Sequence, residues 1–495
     1  MQDNKQYPTS VEHASDSLGA TTPCVAICGA GIAGLTLAAI LSRQLGDRVQ
    51  LAVFERASID RDQGYGLDLD EHGQEALVKA GVYHRYWDVS RPYSDCMAWF
   101  PMHGTEPIGV MFRPALLSRW FPSMFAARPE SNRGALRDIL LEALEDNVKT
   151  SVRFDTPVTG IQLQNDGRAT LSTQTGEALG TFDLIIDAMG LHSTLRDERV
   201  LDAAGGRVDT GNIMIHGVIQ NPETRCCSEL VDALDRFGTI STFGRGHAIF
   251  VQRFGAGMED NRVSVFYMVS HLENEAELLG QIGIDKPDSR ASGIMRDERL
   301  ELVKRWVLED MGEVLDPLWR NAIECLERVT VREEVTHGLT KLRSDCMLPL
   351  ICVGDSLRNC GLGGGGILAM QDAIEMSKLF EDEKAIVDNK LNLELLRSNE
   401  QEMLKRKQDF SRRKAVRFDQ QRKRVLELGR GPGSLADWFP AGVPLFLARL
   451  ILPALGKFSS AWYRRERRRR GKAGSDAGTS IYPNVRKLLE RGEGF

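Results

Sequence analysis

Three glycines within residues 24–56, CVAICGAGIAGLTLAAILSRQLGDRVQLAVFER, constrain this chain more than any other feature. Val25, Ala26 and Ile27 form a short apolar run that stops at Gly29, which predicts a buried strand. Gly29, Gly31 and Gly34 spell G-x-G-x-x-G, and the small and aliphatic residues after them suit a helix. A second apolar run, Leu51 to Phe54, predicts another strand that ends at Glu55 and Arg56. In this order the residues have a specific use. Gly29 allows a tight turn, Gly31 lets the backbone approach a pyrophosphate, and Gly34 lets the helix pack closely on the strand. The helix N-terminus offers unpaired N–H groups and a partial positive charge to phosphates. Glu55, at the end of the second strand, is placed to accept from ribose hydroxyls. The segment therefore implies a dinucleotide site in an α/β fold, without saying which dinucleotide.

A chain of 495 residues is too long for one small core, so two structural units with appendages are expected. A net charge of −6 gives no reason to expect nucleic acid as a partner. The nine cysteines are odd in number and contain no C-x-x-C pair, which argues against a disulfide framework or a zinc site and for a reducing compartment. Residues 1–22 are polar, lack an apolar core of the signal-peptide kind and read as a disordered lead. A cytoplasmic protein is expected.

Further along, Gly64 and Gly66 are expected in a loop before a helix near 71–80. Residues 91–127 are irregular and rich in aromatics, Met and Pro, which fits either a lining segment or a satellite hydrophobic cluster. Leu136, Leu140 and Leu144 then share one helical face, and Arg133 stands at the front of that helix off the apolar stripe. It is either a solvated surface Arg or one placed to meet an anionic or carbonyl-rich ligand. Strands are expected across 150–187, ending in the buried run Leu184–Ile186. Between 200 and 345, HAIFVQRF and RVSVFYMVS alternate as strands of an antiparallel sheet do.

A second glycine-rich motif lies in LPLICVGDSLRNCGLGGGGILAMQDAIEMSKLF. The run Leu350–Val353 predicts a strand that ends at Gly354–Asp355, followed by a loop from Gly361 to Gly366 and a helix. Four consecutive glycines, Gly363 to Gly366, are entropically costly between a strand and a helix, so close approach to a flat or phosphorylated ligand explains them better than a linker does. Residues 391–428 read as one long helix whose stretch 405–424 holds ten Lys or Arg against two Asp. That run fits a solvated face or attraction to a membrane surface. The apolar segment that follows is interrupted by Pro444, Arg449 and Pro453, too often for a transmembrane span. It suits docking on the protein body or peripheral contact with a bilayer interface, with the Arg cluster from Arg464 on anionic headgroups. Residues 471–495 read as disordered.

Together these motifs resemble the class A flavoprotein monooxygenases, the para-hydroxybenzoate hydroxylase type that includes the tetracycline-inactivating enzymes, from about residue 23 to about 415. The resemblance rests on the G-x-G-x-x-G with Glu55 and Arg56, and on Asn132-Arg133 before Leu136 and Leu140. It rests also on DAMGLHSTLR at 187–196, on Gly354–Asp355 with the glycine loop and Gln371-Asp372-Ala373, and on the helix NEQEMLKRKQDFSRRKA. It implies an α/β fold with a Rossmann-type FAD-binding domain (23–90, 128–200 and 345–390), an antiparallel-sheet substrate domain (91–127 and 201–344), a bridging helix at 391–428 and a tail at 429–495. It also implies FAD as cofactor. Gly29, Gly31, Gly34, Glu55 and Arg56 would lie at the ADP half, Arg133 near the ribityl–pyrophosphate region and Asp355 at the ribityl hydroxyls, with Gly365 and Gly366 approaching the isoalloxazine. NADPH or NADH as reductant and O₂ as oxidant follow from the same resemblance, through a flavin hydroperoxide.

The chain departs from the family pattern where the flavin ring and the pyridine nucleotide would be handled. Met189 replaces the Asp of the D-G motif, Arg358 replaces a His, the loop lacks its usual Pro, and Ile367 replaces an Asn. The leading expectation is hydroxylation or epoxidation of a lipophilic small molecule in secondary-metabolite biosynthesis. An FAD-dependent oxidase that needs no NAD(P)H, and a flavin-fold cyclase or binding scaffold, are the alternatives. No catalytic acid or base can be named: His192 and His247 are candidates, although a lone histidine near a strand or turn is more often structural.

Overall fold

A computed structural model describes residues 22–59, 66–90, 97–100, 107, 109–111, 128, 130–145, 149–201, 207–244, 247–253, 262–270, 279–281, 294–311, 315–337, 341–360, 365–387, 390–428 and 482–493. The N-terminal lead, the loop residues 361–364 and most of the tail lie outside these residues.

Five parallel strands form the first sheet: β1 (Cys24–Cys28), β2 (Gln50–Phe54), β7 (Thr150–Arg153), β11 (Leu184–Asp187) and β17 (Leu350–Cys352). Their order is β17-β11-β1-β2-β7. A strand buried on both faces needs apolar residues at every position, and β1 shows how both faces are used. Val25 and Ile27 pack among helices, while Ala26 and Cys28 pack on the other side with Phe54, Ile185 and Leu350. The helical side holds α1 (Ile32–Leu45), α3 (Arg133–Glu145) and α7 (Gly365–Leu379). The other side is covered by a three-stranded antiparallel sheet, β8 (Val158–Leu163), β9 (Ala169–Thr173) and β10 (Ala178–Phe182), through Val158, Leu171, Leu179 and Phe182. This is the α/β layering that the first glycine motif predicts.

The second large sheet has seven strands. They are β4 (Met97–Trp99), β5 (Gly109–Met111), β12 (Arg207–Gln220), β13 (Thr239–Gly244), β14 (His247–Arg253), β15 (Arg262–Ser270) and β16 (Arg328–His337). Their order is β16-β12-β15-β14-β13-β4-β5, antiparallel except for β4 beside β13. Residues of period two fill one face: Ile213, Ile215 and Ile219 of β12, Val263, Val265, Tyr267 and Val269 of β15, and Val329 and Val331 of β16. Helices α4 (Ser228–Phe237), α5 (Asp297–Met311) and α6 (Pro317–Glu324) cover that face. Within 91–127, expected to be irregular, β4 and β5 extend the sheet at its edge; main-chain pairing with β13 overrides the weak local pattern. Gly66, expected in a loop, lies in a short strand β3 (Gly66–Asp68) paired with β6 (Glu130–Asn132).

Two features of the C-terminal part differ from expectation. Helix α8 (Leu393–Leu428) is the long helix read from the sequence, yet its basic stretch is not wholly solvated, since Lys407 is buried. Residues 471–495, read as disordered, include α9 (Pro483–Glu490), which docks on α2 (Glu71–Lys79) with Tyr482 and Val485 buried in the core beside the parallel sheet. The short apolar period of α9, with Val485, Leu488 and Leu489, acquires meaning only against that surface. No described helix is long and apolar enough to cross a membrane, and the apolar and basic run 429–481 lies outside the described residues.

Trp319 of α6 is fully buried against the seven-stranded sheet, with Phe100 edge-on at 6.1 Å, and its indole Nε1 has no partner among the described residues. Trp319→Ala is expected to destabilise by about 3–5 kcal/mol in denaturant unfolding. Trp319→Phe removes an unsatisfied donor along with some packing and is expected to cost clearly less. Equal losses in the two variants would mean that packing area alone sets the stability here.

Candidate flavin site

The carboxyl ends of the parallel strands bring the separate motifs together. Cys352, Asp187, Cys28, Phe54 and Arg153 lie in one cross-strand row, so the turns after them share one edge. Ligands of open parallel sheets bind at this edge, beyond the strand ends. Gly29 turns the chain there with φ +109°, a conformation suited to glycine. A Cβ on Gly29 would lie 2.5 Å from Ala188 O, and one on Gly34 only 1.9 Å from Gly29 O, so both glycines are required by backbone crowding. Gly31 is different: among the described residues, nothing stands within 4 Å of where its Cβ would be. The first turn of α1 has no side-chain cap and no acidic residue. Its N–H groups therefore face an open cradle suited to an anionic group.

Glu55 lies half-buried beside this cradle. Its carboxylate accepts from Ala30 N at 2.8 Å and from Ala57 N at 2.9 Å, ordering the turn between the glycines. A carboxylate has about four lone-pair positions, so these two bonds leave acceptor capacity. Arg56 is exposed at the rim.

The second motif meets the first directly. Gly354 follows β17 with φ +62°, and its missing Cβ would lie 3.1 Å from Ala33 Cβ in the first turn of α1. Asp355 comes next. Its Oδ1 is buried and has no hydrogen-bond partner among the described residues. Burial pushes the Asp355 carboxyl above the usual carboxylate range, while the positive charges of Lys407 and Arg133 hold it down. Such an orphaned acceptor is costly in a folded protein unless a ligand supplies the donor. Gly365, at the start of α7, would place a Cβ 3.7 Å from Asp355 Oδ1, and Gly366 would place one 3.2 Å from Leu67 Cδ1. Arg133 opens α3 directly after β6, and its charge reaches Asp355. The structure thus gathers Gly31, Glu55, Arg133, Asp355, Gly365 and Gly366 at one sheet edge, with Arg56 on the rim.

The D-G motif shows how one departure is accommodated. Met189 occupies the acidic position, but the buried Asp187, two residues earlier, accepts from Met189 N at 3.0 Å and from Ser193 Oγ at 2.5 Å. Ser193 Oγ in turn accepts from Leu195 N and Arg196 N, both at 3.1 Å. Burial raises the Asp187 carboxyl above its usual range, and the Ser193 and Met189 donors oppose the rise. The turn keeps an ordering carboxylate, shifted along the chain.

Sequence reasoning missed three groups. Asp372 of α7 accepts from Gly354 N at 2.9 Å and from Arg406 at 2.7 Å. Lys407 of α8 lies 3.0 Å from Asp372. Arg332 of β16 is near enough to influence Asp355. The Gln371-Asp372-Ala373 triplet signalled the first of these, whereas a charge inside a basic helical run offers no local signal for burial. Of the two histidines weighed earlier, His192 is exposed, and His247 pairs with Tyr267 Oη at 2.7 Å, a residue of the helix-packed face.

No family model matches the chain. An FAD-dependent monooxygenase of Emericella nidulans is 28% identical over 183 residues, covering 35% of this chain and 42% of that protein. A monooxygenase of Penicillium thymicola is 26% identical over 394 residues, covering 72% of this chain and 84% of that protein. The chain therefore spans less than half the length of the first relative and most of the second. Among solved structures, 2,6-dihydroxypyridine-3-hydroxylase from Arthrobacter nicotinovorans superposes with a TM-score of 0.63 at 17% identity, over 86% of this chain and 96% of that one. The Klebsiella pneumoniae HpxO complex with FAD and uric acid superposes with a TM-score of 0.59 at 18% identity, over 94% and 97%.

The glycine environments make a discriminating prediction. Gly31→Val is expected to fold and to melt near FAD-stripped wild type yet to purify without bound FAD, because its side chain fills the open cradle. Gly34→Val is expected to be insoluble or strongly destabilised, because its Cβ collides with Gly29 O. Absorbance spectra and thermal melts distinguish the two, and full flavin occupancy in Gly31→Val would show that the cradle holds no cofactor.

Proposed function

We propose that this chain is a class A FAD-dependent monooxygenase, a reading supported by its similarity to FAD-dependent monooxygenases, and that it binds FAD at the edge between Gly31 and Asp355 and inserts one atom of O₂ into a lipophilic small molecule. The observation that carries this reading is the open cradle at Gly31 sharing one sheet edge with Asp355, whose Oδ1 has no partner among the described residues. Anion-ready amides and a buried acceptor match the pyrophosphate and the hydroxylated chain of FAD. In this reading the first turn of α1 holds the pyrophosphate, and Glu55 accepts from the ribose. Arg133 offsets phosphate charge, and Asp355 accepts from the ribityl hydroxyls. Gly365 and Gly366 let the backbone approach the ring system. Bound FAD would supply the redox chemistry, taking electrons from NADPH or NADH and activating O₂.

The chain's own contribution is then to orient substrate and exclude water. The face of the seven-stranded sheet opposite its helices is suited to this. Trp99, Ser241, Phe250, Phe266 and His216 stand opposite one another across β4, β13, β14, β15 and β12. Ile240, Val251, Val265 and Ile215, their chain neighbours, fill the helix-packed core, so this row points away from it. Trp99, Phe250, Phe266 and His216 are half-buried. The His216 ring stacks on Phe266 at 4.6 Å, and its Nε2 bonds Ser264 Oγ at 2.7 Å. Arg332 shares this face and is near enough to influence Asp355, which supports a row turned towards the flavin edge. An aromatic floor with one imidazole favours a flat or polycyclic apolar substrate with few polar groups.

Purified protein is expected to be yellow, to consume NADPH or NADH in a substrate-dependent way, and to place one oxygen atom from labelled O₂ in the product. Peroxide released without nicotinamide and without labelled product would identify an oxidase instead. Asp355→Ala is expected to weaken FAD binding by about 1.5–3 kcal/mol, the worth of hydrogen bonds to a charged acceptor, with the fold retained. Unchanged flavin affinity in that variant would remove Asp355 from the site.

A further inference from the structure

Lys407 does not fit the solvated helix face that its basic neighbourhood suggests. Its side chain is 1% exposed, and lysine is almost never fully buried unless paired. Its Nζ lies 3.0 Å from Oδ2 of Asp372, itself fully buried. Asp372 is already well provided with donors. The same Oδ2 accepts from Gly354 N at 2.9 Å, and Oδ1 accepts from Arg406 Nη2 at 2.7 Å. One guanidinium balances one carboxylate, so the second cation is in excess of what Asp372 alone requires. A second carboxylate, Asp355, with a buried Oδ1, directly follows Gly354, whose N–H shares Asp372 Oδ2 with Lys407. The charged groups facing Asp355 are Lys407 from α8, Arg133 from α3, Arg332 from β16 and Asp372 from α7. The charge of Lys407 opposes the burial that pushes the Asp355 carboxyl up.

We propose that Lys407 is a positioning residue of the flavin site: its buried ammonium, anchored on Asp372, supplies the charge that keeps Asp355 a carboxylate and hence an acceptor for FAD. The inference rests on the FAD reading above and extends it to a residue that touches neither glycine motif in sequence. Burial alone favours the neutral acid at Asp355, and a nearby cation favours the anion. The sign follows directly. A carboxylate needed for binding is lost as pH falls through its pKa, so FAD is released on the acid side. Removing the Lys407 charge moves that loss to higher pH.

The test follows FAD fluorescence as holoenzyme is diluted into buffers from mildly acidic to mildly alkaline. Wild type is expected to retain FAD at neutral pH and release it as pH falls. Lys407→Met is expected to move the release midpoint upward by about one pH unit or more, the usual effect of a close opposite charge. Lys407→Arg, which keeps the charge, is expected to restore the midpoint towards wild type. Asp355→Asn is expected to flatten the pH dependence, and adding Lys407→Met to it should no longer shift anything. If Lys407→Met weakens FAD by the same factor at every pH, its role is packing alone and the proposal is overturned. Should Lys407→Met fail to melt cooperatively, Asp355→Asn decides, and an acid release step that persists in it overturns the proposal. Wild-type protein that neither carries nor takes up FAD would overturn the flavin reading itself, an outcome distinct from flavin binding without the Lys407 effect.

Discussion

The buried carboxylate of Asp372 ties together three parts of the chain that are far apart in sequence. It accepts from Gly354 N at the end of β17, belongs to α7, and pairs with Arg406 and Lys407 of α8. Removing one partner from a buried ion pair costs about 3–5 kcal/mol, because the remaining charge is left uncompensated. The turn that presents Asp355 is therefore held by a network instead of by local chain stiffness. A second buried pair repeats the arrangement nearby. Glu400 of α8 accepts from Arg199 at 2.7 Å and from Cys352 N at 2.7 Å, fastening the long helix to the end of the same strand.

This fastening explains why a helix far down the chain matters to a site built from the first strand. The first glycine motif supplies a cradle after the central strand β1, and Asp355 is presented after β17, two strands away in the same sheet. Contact between Gly354 and Ala33 brings the two turns together, and a side chain at Gly354 would have to occupy the space between them. Arg332, on the helix-free face of the seven-stranded sheet, is near enough to influence Asp355. The alternation of that sheet separates two functions: odd and even positions of β12 and β15 serve a packed core on one side and an aromatic row on the other.

The departures from the family pattern are absorbed by neighbouring groups. Asp187, in place of the missing acid at Met189, bonds the same turn from two residues upstream and is buried between Cys28 and Cys352 in register. A carboxylate there has a different reach from one at position 189, because its oxygens are already committed to Met189 N, Ser193 Oγ and Cys352 Sγ. The turn is thereby kept ordered while its outward chemistry is changed.

What could be read from the sequence was local in its physics. Residues 24–56 contain strand, turn, helix, strand and acid in one continuous stretch, and Gly29, Gly31, Gly34 and Glu55 stand at the edge that the pattern implies. The alternation in RVSVFYMVS and the length of α8 were legible for the same reason, since periodicity is a property of neighbours in the chain. The docking of α9, the pairing of β4 with β13, the partners of Asp372 and the burial of Lys407 were not legible. Each depends on a contact between segments tens to hundreds of residues apart, and a lysine in a basic run carries the same local pattern whether it meets water or a carboxylate. Sequence alone determined the strand, glycine turn, helix and second strand of residues 24–56 and the acid that ends them. Tertiary structure decided which charges surround Asp355, because desolvation and pairing act through space and leave no periodic trace in the chain.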